Sequence, residues 1–179
     1  MNIFAVSTAP YLCAQALDDV RLVKMVLETA QIVCMAAEAG QLPIMRQELL
    51  YKPSHQNHPA VRWACASHGN ARWTRSLLLS LASEYQHRFD KTHKSSEILS
   101  AVGQDIGQVF APPGQGEFVN CTTLDGPDVH ECYRHYLVEK WLADVEADRT
   151  PTWRRRGPPD WMERVLWRSS PLSLRLRAA

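Results

Sequence analysis

Leu17-Asp18-Asp19-Val20-Arg21-Leu22-Val23-Lys24-Met25-Val26-Leu27-Glu28-Thr29-Ala30-Gln31-Ile32-Val33-Cys34 is the stretch on which the fold turns. At about 100° per residue, Val20, Val23, Val26, Leu27, Ala30, Val33 and Cys34 share one arc, the pattern of a helix that turns one side to a core. No Pro or Gly interrupts from Tyr11 to Glu38, so the spacing predicts one long helix over that whole span, started by Ser7 or Thr8 with Pro10 and capped by Gly40. Arg21, Lys24, Glu28 and Gln31 occupy an arc of about 80° immediately beside the apolar one. A polar stripe at the edge of a core faces a groove between helices, where a carboxylate and a lysine can act on each other. The plainer reading is an i,i+4 surface pair, Lys24 with Glu28, worth about 0.3 kcal/mol.

Outward from this helix, Met1 to Val6 reads as a short apolar segment, packed as an irregular strand. A short helix around Met45 to Leu50 leads into the loop Lys52-Pro53-Ser54-His55-Gln56-Asn57-His58-Pro59, and Ala60 to Ser67 supplies one or two helical turns. Gly69-Asn70 then punctuates the chain before a second long helix from Ala71 to Phe89, centred on Leu77, Leu78, Leu79 and Leu81. Within it Asn70, Trp73, Ser80, Glu84 and Arg88 share a narrow polar face. Glu84 among leucines and aromatics is costly to bury unless Arg88, Lys24 or Arg21 pairs with it. Ser95 or Ser96 opens a smaller helix, the segment from Gly103 to Pro127 is a long loop, and Asp128 to Ala147 returns to a helical pattern. The expected architecture is all-α: a compact single-domain helical bundle spanning 1–179, with two long core helices, a long loop before the C-terminal helix, and a basic and aromatic extension over 148–179.

The 179 residues carry 20 basic and 19 acidic side chains, a net charge of +1, which excludes a protein that coats nucleic acid by charge alone. The five cysteines form no CxxC pair and read as reduced thiols, and the chain shows neither a leader pattern nor an apolar run of membrane-spanning length. A cytoplasmic setting without membrane contact is the expectation. GxxxxGK[ST], GxGxxG, HExxH and HxH are all absent, so neither nucleotide-cofactor nor zinc chemistry is indicated, and no cofactor or metal is expected. The loop His55-Gln56-Asn57-His58 offers donors suited to phosphate or base edges, and Lys91, His93 and Lys94 form a second cation cluster. Trp153-Arg154-Arg155-Arg156 with Trp161 combines stacking surfaces and cations, as single-stranded or flipped bases favour, against the alternative of tryptophans simply packed on the domain.

The run Leu17 to Lys24 continued by Glu28 and Gln31-Ile32, then Asn57-His58-Pro59-Ala60-Val61, and finally Arg149-Thr150-Pro151-Thr152-Trp153, resembles the pyrimidine dimer DNA glycosylase family and its small bacterial relatives. Glu84-Tyr85, Arg88 and Lys91-Thr92-His93-Lys94 extend the likeness to a group of short phage proteins. The resemblance implies a compact all-helical fold that flips a nucleotide out of the duplex. It implies attack on the sugar by an N-terminal α-amine to give a Schiff base, assisted by a first-helix glutamate and nearby arginines. Arg21 matches the arginine of that helix; Leu22 stands where the glutamate directly follows it, and Glu28, two turns on, is the nearest comparable carboxylate. The bulky Asn2 disfavours removal of Met1, so the amine would be that of Met1.

These readings converge on a DNA-acting enzyme in which Met1, Lys24, Glu28 and Glu84 carry the chemistry. Arg21, His55, Asn57, His58, Trp73, Arg88, Lys91, His93, Lys94, Trp153, Arg154 and Arg155 would hold nucleic acid. Its target is a damaged pyrimidine, or a modified thymine of phage DNA on which the same flipped-base pocket would perform base modification. The rival readings are a noncatalytic nucleic-acid-binding module and an enzyme of free nucleotides.

Overall fold

The computed structural model describes residues 1–103 and 116–169, and shows a helical bundle with no strand among them. In chain order the helices are α1 (Pro10–Ala16), α2 (Asp19–Glu38), α3 (Pro59–Ala66), α4 (His68–Phe89), α5 (Ile98–Ala101), α6 (Val129–Glu146) and α7 (Trp161–Ser169), with single 3-10 turns at Gln47–Leu49 and Lys94–Glu97. Part of the long loop after Gly103, and the tail beyond Ser169, lie outside the described residues; the loop from Gly116 to Asp128 contains no helix.

The single helix expected from Tyr11 to Glu38 is instead two. Leu17 and Asp18 are extended, and the Asp18 carboxylate accepts from the Arg21 backbone N–H, capping α2 and ending the run from α1. At the start of α4, Ser67 caps the Asn70 N–H, so Gly69-Asn70 forms the first turn of the helix rather than a break before it. The Met1–Val6 segment pairs with no strand, yet Ile3, Ala5 and Val6 are buried in the core.

α2 and α4 run antiparallel: Asp19 at the start of α2 meets Arg88 at the end of α4, while the Gln41 carbonyl, just past α2, accepts from Nδ1 of His68, where α4 begins. Leu22, Val26, Ala30, Val33 and Ala37 of α2 pack with Leu77, Leu78 and Leu81 of α4, and Tyr133, Leu137 and Trp141 of α6 close the core. The buried arc of α2 is thus turned by roughly a quarter of a revolution from the arc of valines. Val20 is 74% exposed, and Val23 and Leu27 are 39% exposed, so these three are not core residues. The face extends past that arc through Leu22, Met25 and Ile32 together with the small Thr29, Ala36 and Ala37, which permit close approach.

A C-terminal strap, residues 150–160, locks the bundle. Asp19 donates its N–H to the Thr152 carbonyl and accepts on its carboxylate from the Thr152 hydroxyl and the Arg154 N–H. Asp18, 1% exposed, accepts from Trp141 Nε1 at 2.8 Å and from Arg21 Nη1 at 2.9 Å, and Arg21 also reaches Asp144 of α6 at 2.7 Å. Burial raises the carboxyls of Glu84 and Asp144, but the hydrogen bonds and charges of Arg156 and Arg88 on the first, and of Arg21 and Arg149 on the second, more than reverse this and leave both below their ordinary values. A depressed carboxylate gives stability that is present above its unfolded pKa and lost as the pH falls through the folded one. Melting temperatures should therefore hold down to about pH 4.5, the ordinary glutamate value, and fall below it; a melting temperature flat from pH 5 to pH 3 would show that these pairs contribute nothing.

Candidate active site

The site is built from the N-terminus inward. Asn2 turns its side chain back so that Oδ1 accepts from the N–H groups of Ile3 and Phe4, at 2.7 and 3.0 Å. This turn carries Phe4 to a φ of 38°, and the Phe4 ring stacks on Tyr136 of α6. His130 contacts the Ala5 carbonyl through Nδ1, and Arg134 Nε donates to the Val6 carbonyl at 3.0 Å. The start of the chain is thereby held to the bundle along its backbone, and the Met1 side chain is buried.

The consequence is a fixed α-amine. The Met1 nitrogen stands 3.6 Å from Glu28 Oε2, the same oxygen accepts from the Asn2 N–H at 3.1 Å, and Glu28 Oε1 faces Lys24 Nζ at 3.4 Å. Glu28 is 14% exposed and Lys24 70%, so the carboxylate sits in the wall of the site and the lysine at its rim. His58 adds a third element. Its Nδ1 accepts from the Ala60 N–H, capping α3, which makes the neutral ring the Nε2–H tautomer. Burial, then the positive charges of the Met1 amine and His55, hold His58 below the usual histidine value against the opposing charge of Glu28. His55 itself is exposed, with a φ of 55°, in a turn closed by the His58 N–H on the His55 carbonyl. A primary amine, a carboxylate able to take its proton, an outer cation and a neutral imidazole donor are the components of imine-forming chemistry at an aldehydic carbon.

Glu84 does not join this group. It is 5% exposed, and both oxygens are bound, Oε1 by Arg88 Nε at 2.7 Å and Arg156 Nε at 2.6 Å, Oε2 by Arg156 Nη2 at 2.8 Å. The two polar stripes thus lie in separate places because buried carboxylates recruit the nearest guanidinium, here supplied by the strap. Arg88 has a fully buried side chain and donates to Glu84, Asp19 and the Leu17 and Gln15 carbonyls, which leaves it no route to a phosphate. Arg21 is spent on Asp18 and Asp144. Trp73, 6% exposed, donates to the Thr8 carbonyl and packs edge-on against Trp63 and Phe118, so it is a core anchor rather than a stacking surface.

The basic strap is also largely engaged. Trp153 packs edge-on against Trp141 and donates to the Ala16 carbonyl; Arg154 lies over Phe89; Arg155 binds the Asp90 carboxylate and the His87 carbonyl at the end of α4. Trp153→Ala is therefore expected to lower stability toward the roughly 3 kcal/mol at the low end of buried-tryptophan truncations, with DNA affinity unchanged once folding is accounted for. A thermal melt and a binding titration on the same sample check it. Of the residues expected to hold nucleic acid, His55, Asn57, Lys91 and Lys94 are exposed; His93 is half-buried and uses Nδ1 to cap the turn at Ser95. Sequence reasoning overlooked the buried pair Asp18-Asp19, although two acids directly before an amphipathic run are a legible helix-start signal.

The family model for pyrimidine dimer DNA glycosylase matches residues 1–97. No curated protein and no solved structure matches the chain significantly. Among the described residues no helix is long and apolar enough to cross a membrane. The matched span carries the Met1 amine, Lys24 and Glu28 on α2, and the histidine loop, and it runs just past α4. The chain belongs to the pyrimidine dimer DNA glycosylase family.

Proposed function

We propose that the protein removes a damaged or modified pyrimidine from DNA and opens the resulting sugar through the α-amine of Met1. The observation that carries this reading is the 3.6 Å approach of that amine to Glu28, made by a segment held in place over six residues. The amine gives a proton to Glu28, and its lone pair then attacks C1′ of the flipped nucleotide. The base leaves with the electrons of the glycosidic bond and is protonated at nitrogen. The nitrogen now bonded to C1′ loses a proton, its lone pair opens the C1′–O4′ bond, that bond's electrons go to O4′, which takes up the proton, and a cationic C1′ imine is left on the Met1 nitrogen. Glu28 stands where its charge stabilises the cationic imine. Lys24, His55, Asn57, Lys91 and Lys94 are the exposed groups available to phosphates and base edges, while Arg21, Arg88, Trp73 and Trp153 serve the fold.

The test is to incubate the protein with DNA bearing damaged or modified thymines, add borohydride, and look by mass spectrometry for a protein–DNA adduct at Met1 together with base release. Binding without adduct or base loss would favour a noncatalytic module, and turnover of free nucleotides alone would remove DNA from the reading. Lys91→Ala with Lys94→Ala should weaken duplex binding and reduce its salt slope by roughly one to two counterions; an unchanged slope would take these lysines off the DNA path.

A further inference from the structure

Away from the amine site lies a cleft of about 480 Å³, walled on one side by the Val6–Ala16 region and on the other by Arg134 of α6 and the residues from Arg156 to Arg164. Its size is that of a small-molecule site. The C-terminal wall lies outside residues 1–97, the span that the family model matches. Three guanidinium groups line it, from Arg134, Arg156 and Arg164, against one acid, Asp160. The hydrogen bonds of Arg134 run through Nε and Nη1, to Val6 and Glu131, and those of Arg156 through Nε and Nη2, to Glu84. Among the described residues one terminal nitrogen of each, Nη2 of Arg134 and Nη1 of Arg156, is thus left for a ligand. Arg164 is exposed and has no carboxylate within ion-pair distance among the described residues.

We propose that this cleft binds a phosphate group carried on a compact organic moiety. Guanidinium groups recognise tetrahedral oxyanions through paired N–H donors, and a phosphate offers more acceptor positions than a carboxylate to three of them at once. The first turn of α7, which contributes Trp161 and Arg164, adds its own partial positive charge at the rim. Trp161 cannot take a stacked base, because its ring already stacks on Trp141 and carries Arg134 beside it. The organic part would instead lie against Leu12 and the strap. The phosphate comes either from a free nucleoside monophosphate or from the backbone of bound DNA, and both use the same arginines.

The proposal stands independently of the amine chemistry, because calorimetry reads binding without turnover. The full chain would be titrated with thymidine 5′-monophosphate and, separately, with thymidine; in a second arm, duplex binding would be followed against salt. If the ligand is a free nucleotide, the monophosphate binds at least tenfold more tightly than thymidine, and Arg164→Gln removes that difference. If it is the DNA backbone, Arg164→Gln weakens duplex binding severalfold and lowers the salt slope by about one counterion. Among the described residues Arg164 makes no ion pair and is exposed, so this variant is expected to keep its structure. Native protein and Arg164→Gln indistinguishable in both arms would overturn the assignment, whatever the outcome of adduct trapping.

Discussion

A chain extended ahead of Met1 by an acetyl-capped residue is expected to yield no borohydride-trapped adduct on DNA that the native chain converts. The extension turns the primary amine into an amide, whose nitrogen lone pair is delocalised and cannot attack C1′. It also places a peptide where the amine now approaches Glu28 at 3.6 Å. Glu28→Gln tests the same pair from the other side. The amide keeps the shape and an oxygen for the Asn2 N–H, which now donates to Oε2 at 3.1 Å, but it cannot take a proton or stabilise a cationic imine. Loss of a general base in this position costs roughly 10²–10⁴-fold in rate. The lost pair with Lys24, 70% exposed, is worth under about 1 kcal/mol, and the amide fills the same space, so the fold is retained. Single-turnover base release and a thermal melt on each variant separate the two. A capped chain that still traps DNA at its N-terminal region, or a Glu28→Gln variant with native turnover, would end the case for amine catalysis.

The helices were largely readable from pattern alone, because α2, α4 and α6 are long and their apolar spacing is helical. The break at Leu17-Asp18 was less so, since nothing in the hydrophobic pattern distinguishes a capped start inside an uninterrupted run from its continuation; only the acid pair marks it. The facing of α2 was misread for a related reason. The buried face runs through Leu22, Met25 and Ile32 with Ala36 and Ala37, while Val20, Val23 and Leu27 are left toward solvent. At the site, the stripe of Lys24 and Glu28 was visible on the helix, and the amine entered through the family likeness. What sequence could not supply was the destination of each arginine. A guanidinium seeks a carboxylate as readily as a phosphate, and with 20 cations balanced by 19 anions the chain holds enough acid to occupy most of them. Arg21, Arg88, Arg155 and Arg156 all found theirs inside the fold.

Arg88→Ala is expected to be the most damaging single change in stability. The guanidinium is completely buried and ties four elements at one point: Glu84 one turn back on α4, the Gln15 carbonyl of α1 at 3.0 Å, the Leu17 carbonyl of the α1–α2 break at 2.8 Å, and Asp19 of α2 at 3.1 Å. Removing it takes a buried cation from both Glu84 and Asp19, which keep only their bonds to the strap, and leaves the Leu17 and Gln15 carbonyls without their donor; breaking one partner of such a buried pair costs about 3–5 kcal/mol. Against a total of roughly 5–15 kcal/mol for a domain, that is a large share. Arg88→Lys should recover little, because a single ammonium cannot span three directions held by a planar fork. Arg156→Ala should cost far less, on the order of 1 kcal/mol, since its side chain is 32% exposed and Glu84 would keep Arg88. Chemical denaturation of the three variants ranks them. If Arg156→Ala proved as damaging as Arg88→Ala, the strap rather than the α1–α2–α4 junction would be the element on which folding depends.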